Sequence, residues 1–296
     1  MKGMDFLSAA DINSQQAELL LDSAMRLKAD RHGCQALAGR VLAMIFEKPS
    51  LRTRVSFETG MVQLGGHAIY LSPNDISLGK RESVGDVAGN LSRMVDGIMA
   101  RVFEHEKVVG LAAGADVPVI NGLSDLEHPC QALADFQTIA EHKGLANRPT
   151  LVFVGDGNNV CHSLMLLART FDVPMRVACP VGFEPDPALR AACPAVEIIN
   201  DPVAAVTGAD VVYTDVWASM GQEESAAHRK QVFASFQVNE ALMAHAKPDA
   251  IFMHCLPAHR GDEVTDAVID GPGSVVLDEA ENRLHAQKAL LVALMG

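Results

Sequence analysis

Residues 151–160 read LVFVGDGNNV, and this stretch decides how the chain folds. Leu151 to Val154 form a short apolar run with β-branched and aromatic residues, too short for a helix and suited to a buried strand. Turn residues follow at once. Downstream, MRVACP, VEIIND, ADVVYTDV, DAIFMHCLP and SVVLDEAEN repeat the pattern and read as strands with helical segments between them. Upstream, strands are expected at Arg40 to Phe46, His67 to Ser72, Gly97 to Arg101 and Val117 to Asn121. Helical stretches separate them at Val55 to Leu64, where Val55, Thr59, Val62 and Gln63 keep helical spacing, and at Ser83 to Met94. Short strands alternating with longer helices imply parallel sheets with crossover connections. The fold class expected is therefore α/β, with two domains that each hold a parallel sheet flanked by helices.

A chain of 296 residues fits two domains. The polar, helix-ending stretch HKGLANRP, residues 142–149, marks the junction, so residues 1–142 and 143–278 are read as the two domains. The last segment, 279–296, reads as a helix with Leu284, Lys288, Leu291 and Met295 on one face, expected to pack back on the first domain.

Lys and Arg number 24 against 37 Asp and Glu, a net charge of −13. That balance disfavours binding to nucleic acid or to an anionic membrane, so an anionic ligand needs a local basic pocket. The opening MKGMDFLSAADINSQQ lacks an apolar leader core, and ALLVALM is far short of the ~20 residues a bilayer span requires. A cytoplasmic location is expected. Six cysteines without a C-x-x-C pair read as reduced, mostly buried thiols.

Four segments carry polar residues where chemistry can occur. In FEKPSLRTRVSFE, residues 46–58, a strand gives way to a turn and then to a helix for which Ser50 is a good N-cap. The helix start offers free N–H groups and the positive dipole end, and Arg52 with Arg54 close by adds forked donors, so an anion site is expected around Ser50, Arg52 and Thr53. In EHPCQALADF, residues 127–136, His128 and Gln131 share the first turn of a helix that begins at Pro129. A neutral imidazole there can donate to a developing oxyanion. In TDVWASMGQE, residues 214–223, Asp215 ends a strand and a polar loop follows. In FMHCLPAHRG, residues 252–261, His254 and Cys255 end another strand. Asp156 in GDGNN completes a set of polar residues at carboxyl ends of strands, where parallel sheets bind ligands.

In this order and spacing, SLRTR, HPCQ, DVWASMGQE and MHCLPAHRG resemble the aspartate/ornithine carbamoyltransferase family over nearly the whole chain. The resemblance implies that Ser50, Leu51, Arg52, Thr53, Ser77, Arg101, His128, Gln131, Cys255, Leu256 and Arg283 bind carbamoyl phosphate. It implies that Asn159, Asp215, Ser219 and Met220 bind the amino-acid acceptor, and that Arg101, His128, Cys255 and Asp215 serve catalysis. Where the family commonly has Gln in a QLGRGES-like loop, this chain has Ser77 in SLGKRES, and Lys80 and Arg81 of that loop would reach a neighbouring subunit's site. The implied reaction is transfer of the carbamoyl group to the δ-amine of L-ornithine, giving L-citrulline and phosphate in an arginine-biosynthetic or urea-cycle-type step. Putrescine or N-acetylornithine is the alternative acceptor. Family members imply an active site in the cleft between domains, a homotrimer or a multiple of trimers, and no metal or organic cofactor, since carbamoyl phosphate is already activated.

Two rivals fail on the residues. A dinucleotide fingerprint needs G-x-G-x-x-G, and Gly155 and Gly157 have no third glycine after them. A hydrolase pairing Cys255 with His254 would need neighbours on a strand to share a face, and they alternate.

Overall fold

The computed structural model describes residues 1–218 and 226–296. The chain divides into two compact units, Met1–Gln137 with Glu281–Gly296, and Thr138–Ala280.

In the first unit, β1 (Val41–Phe46), β2 (His67–Leu71), β3 (Gly97–Arg101) and β4 (Val119–Leu123) form a parallel sheet in the order β2-β1-β3-β4. Helices α1 (Ser14–Ala29), α2 (Leu51–Gln63), α3 (Pro73–Ile76), α4 (Val84–Leu91) and α5 (His105–Gly114) belong to it. Ile45, Ile98, Ala100, Val87, Leu111 and Val119 build one of its apolar layers. Because β2 and β3 lie on opposite sides of β1, the strand order reverses there, and Phe46 is in register with Arg101 at the carboxyl ends. Such a reversal opens a crevice at the strand ends.

Helix α6 (Pro129–Lys143) leads from the first unit into the second. There β5 (Leu151–Val154), β6 (Met175–Ala178), β7 (Glu197–Ile199), β8 (Val211–Thr214) and β9 (Ile251–His254) are parallel, in the order β7-β6-β5-β8-β9. Helices α7 (Asn159–Thr170), α8 (Pro187–Ala192), α9 (Pro202–Val206), α10 (Ala226–Phe233), α11 (Glu240–Met243) and α12 (Asp266–Ile269) accompany them. Val152, Val154, Val212 and Phe252 pack with Trp217, Phe233 and Phe236. The order reverses between β5 and β8, whose ends Val154 and Thr214 are in register, as Thr214 is with His254.

Two expectations need correction. SVVLDEAEN is no strand: Ser274 makes one isolated bridge to Phe252, and helix α13 (Val276–Met295) starts two residues later. Only two valines favour a strand, whereas Asp278 and Glu279 in the first turn suit the positive end of a helix. β4 begins two residues later than expected, after Pro118, which has no N–H for a ladder. α2 begins at Leu51, directly after the Ser50 cap expected from the sequence, and buries Thr53, Ser56, Phe57, Gly60 and Met61 while Val55 and Val62 are exposed. Gly60 lies on that face against α13, where a Cβ would meet Lys288 Cγ at 3.3 Å.

Candidate active site

The first constellation forms where β1 hands over to α2. The Ser50 side chain caps the helix by accepting from Thr53 N at 3.3 Å, and its hydroxyl donates to Thr53 Oγ1 at 3.1 Å. Thr53 Oγ1 also accepts from Arg283 Nη2 at 2.9 Å, while Arg283 Nη1 donates to Gln131 Oε1 at 2.9 Å. Gln131 in turn donates through Nε2 to Asp135 Oδ1 at 2.8 Å. Thr53, Gln131 and Asp135 are fully buried and Arg283 nearly so. A buried guanidinium is thus aligned beside the helix start by hydroxyl, amide and carboxylate partners, the forked geometry a phosphate requires.

His128 lies just before α6, buried within the electrostatic reach of Arg283, Arg101 and Arg52. Burial, then those three charges, hold its imidazole well below the usual range, so it is neutral at pH 7. A neutral ring keeps one N–H, with which it can donate a hydrogen bond to an oxyanion. Arg101, the last residue of β3, is itself buried and follows a register shift after Ala100.

The second constellation forms at the ends of β5, β8 and β9. Asp215, just past β8, accepts from Asn158 Nδ2 at 2.7 Å on Oδ2, and from the Cys255 thiol at 3.1 Å and Val216 N at 2.8 Å on Oδ1. Asn158 also caps α7 by accepting from Val160 N and Cys161 N. The residue before it has to be glycine: a Cβ on Gly157 would lie 2.3 Å from Pro185 N, so the second glycine of GDG serves loop packing. Asp156 pairs with Arg229 at 2.6 Å, and Arg229 also donates to the Trp217 carbonyl at 2.7 Å. Burial pushes the Asp156 carboxyl up against the pull of Arg229.

All six cysteines are free thiols, four of them buried. Burial pushes Cys130 up to about 12, which keeps it a protonated packing residue, whereas Cys255 is only half-buried. Ligand atoms of Asp215, His254 and Cys255 lie within 4.8 Å of one another. Both ring nitrogens of His254 are already engaged, with Leu256 N at 2.8 Å and Glu263 Oε1 at 3.2 Å, so a cation would have to displace one of them.

Of the residues singled out from the sequence, Ser50, Thr53, Gln131 and Arg283 join one bonded network, with Arg52, Arg101 and His128 linked to it electrostatically. Leu51 stands apart at 76% exposed. Arg54 turns to Glu58 at 2.9 Å and to the Tyr70 ring. Ser77 is exposed, left-handed at φ +49°, and bonds Pro73 O at the end of α3. Asp215 and Cys255 are in direct contact, and Leu256 follows in a left-handed conformation. Asn159 opens α7, and the side chain of Asn158 before it donates to Asp215. Ser219 and Met220 lie outside the described residues. Sequence reading missed Asn158, Arg229 and Glu263; the doublet of asparagines after GDG was the available signal for the first.

Comparison with known proteins bears on both units. Residues 4–141 match the model of the aspartate/ornithine carbamoyltransferase carbamoyl-P binding domain, and residues 147–294 match that of the Asp/Orn binding domain. The chain is 54% identical to an ornithine carbamoyltransferase of Thermococcus kodakarensis over 100% of this chain and 98% of that one. It is 58% identical to that of Methanothermobacter thermautotrophicus over 94% of each. The solved ornithine carbamoyltransferase of Pyrococcus furiosus superposes with a TM-score of 0.95 at 53% identity, covering 100% of this chain and 98% of that one. Two domain models in sequence, together spanning nearly every residue, place the chain in the aspartate/ornithine carbamoyltransferase family.

Proposed function

We propose that the chain transfers the carbamoyl group of carbamoyl phosphate to the δ-amine of L-ornithine, giving L-citrulline and phosphate, a step of arginine biosynthesis. One observation carries the assignment of the first substrate: Arg283 bonded to Thr53 at the capped start of α2, with neutral His128 among three arginines. Full-length similarity to ornithine carbamoyltransferases supports the acceptor.

The residues suit the chemistry in order. The α2 start with Arg52, Thr53 and Arg283 would hold the phosphate, and Arg101, His128 and Thr53 would stabilise the oxyanion as the amine adds to the carbamoyl carbon. Phosphate then departs with the electrons of the C–O bond. An amine resembling Lys titrates near ~10.4, so on the order of one part in a thousand is free base at pH 7, a handicap of roughly 4 to 5 kcal/mol. In this reading Cys255 would receive the amine's proton while its own moves toward Asp215, a role supported by its hydrogen bond to that carboxylate.

The same reading makes the protein a cytoplasmic homotrimer or multiple of trimers. Supporting self-association, Val55 and Val62 of α2 and Ile69 of the edge strand β2 are exposed apolar residues on the first unit. Sedimentation at low micromolar concentration tests the assembly; a monomer would remove it. For the reaction, the test is formation of citrulline and phosphate in equal amounts from carbamoyl phosphate and ornithine. Phosphate release without citrulline would contradict the proposal.

A further inference from the structure

Behind Cys255 lies a buried network that the reaction scheme above does not use. His254, at the end of β9, is fully buried, and so is Glu263. Leu256 N–H donates to His254 Nδ1 at 2.8 Å. A backbone N–H can only donate, so Nδ1 is the bare nitrogen and Nε2 carries the hydrogen, pointing to Glu263 Oε1 at 3.2 Å. That same carboxylate oxygen accepts from His259 N at 2.5 Å. One imidazole and one carboxylate thereby tie residue 256 to residues 259 and 263.

The constraint falls on a residue that would otherwise resist it. Leu256 has φ +56°, in the left-handed region that costs a residue with a side chain about 1–2 kcal/mol. Its N–H bond to the ring two residues back has the form of an Asx turn, with imidazole nitrogen in place of a side-chain oxygen. Cys255 sits inside this turn, and its thiol reaches Asp215 Oδ1 at 3.1 Å. A buried ring held on one side by a carboxylate and on the other by a strained backbone is an arrangement for fixing geometry.

We propose that His254, backed by Glu263, is a positioning residue of the transfer reaction: its Nδ1 holds the Cys255–Leu256 turn in the conformation that presents the Cys255 thiol to Asp215. The inference rests on the reading of Cys255 and Asp215 as parts of the acceptor half of an ornithine carbamoyltransferase.

The test compares His254→Phe with His254→Asn, whose Oδ1 can accept the Leu256 N–H as a true Asx turn. Three quantities are measured on the full chain: citrulline kinetics, melting temperature, and the alkylation rate of Cys255 by iodoacetamide, read by peptide mass mapping with Cys34 as internal reference. His254→Phe is expected to lower kcat on the order of 100-fold, the scale of a small misplacement of reacting groups. Its KM for carbamoyl phosphate stays at the wild-type value, and its ratio of Cys255 to Cys34 alkylation changes. His254→Asn is expected to regain most of the kcat and the wild-type alkylation ratio even where its melting temperature stays as low as that of the Phe variant. Wild-type kcat and alkylation in His254→Phe would overturn the proposal. So would an Asn variant whose losses in rate follow its loss of stability. Should the Phe variant not fold, the Asn variant and Glu263→Gln decide on the same readouts: a lowered melting temperature with wild-type alkylation and kcat in Glu263→Gln would overturn Glu263's part. A wild-type protein that makes no citrulline would defeat the functional reading, and the alkylation ratio would still test the turn.

Discussion

The two constellations are built at equivalent places and from opposite materials. Each lies at the carboxyl ends of parallel strands where the strand order reverses, beside Phe46 and Arg101 in the first unit and beside Val154 and Thr214 in the second. The first is cationic and buried, wired through Arg283, Thr53 and Gln131. The second is acidic and thiol-bearing, with Cys255 half-buried and Asp215 already accepting three hydrogen bonds. The same topology therefore creates an opening, and the residues placed at the strand ends decide whether it takes a dianion or an amine. A net charge of −13 does not speak to either, because Arg52, Arg101 and Arg283 all lie within electrostatic reach of His128.

Breaking the cationic half should have the largest effect. Arg52→Ala is expected to lower kcat/KM for carbamoyl phosphate by roughly 100- to 1000-fold, the range seen on removal of one preorganised donor. Calorimetry of carbamoyl phosphate binding without ornithine checks it, and normal binding would remove Arg52 from the phosphate site. Asn158→Ala probes the other half. It leaves Asp215 Oδ2 without its side-chain amide donor, so kcat/KM for ornithine should fall on the order of 10- to 100-fold. The lost helix cap should also destabilise the protein by about 1 kcal/mol, while binding of carbamoyl phosphate is unchanged. If Asn158→Ala weakened carbamoyl phosphate instead, the division of labour would be wrong.

Two pH profiles sharpen the contrast with smaller effects. With the amine as nucleophile, kcat/KM for ornithine should climb from pH 6 toward pH 9 as free base accumulates, and a flat profile would count against the scheme. The cationic half should respond through stability. His128 is held well below its ordinary value when folded, so below about pH 6.5 the unfolded chain takes up a proton that the folded chain refuses. Stability contributed by the neutral ring is complete above that pH and declines as the pH falls. Denaturant midpoints from pH 8 to pH 5 should therefore fall less steeply in His128→Asn than in the wild type.

How much of this could be read beforehand follows the range of the interactions. The strands of both sheets were visible because β-branched runs between turns are local features, and Ser50 was visible as a cap for the same reason. SVVLDEAEN misled, since Val275 and Val276 favour a strand locally while the acidic first turn and the partners of Glu279, Tyr213 OH and His254 N, settle a helix. His128 and Gln131 could be singled out at the start of a helix and Arg283 through resemblance, but the bonds joining Arg283 to Thr53 and Gln131 span 230 and 152 positions. Nothing near Glu263 in the sequence announces its role, because its partners are a ring nitrogen nine residues back and a backbone N–H.

One measurement bears most directly on the central claim: initial rates of carbamoylation with ornithine, putrescine, N-acetylornithine and aspartate offered separately with saturating carbamoyl phosphate. The account predicts citrulline from ornithine at the highest kcat/KM, with the other three acceptors far behind. A preference for any of those three, or no carbamoylated product at all, would contradict it.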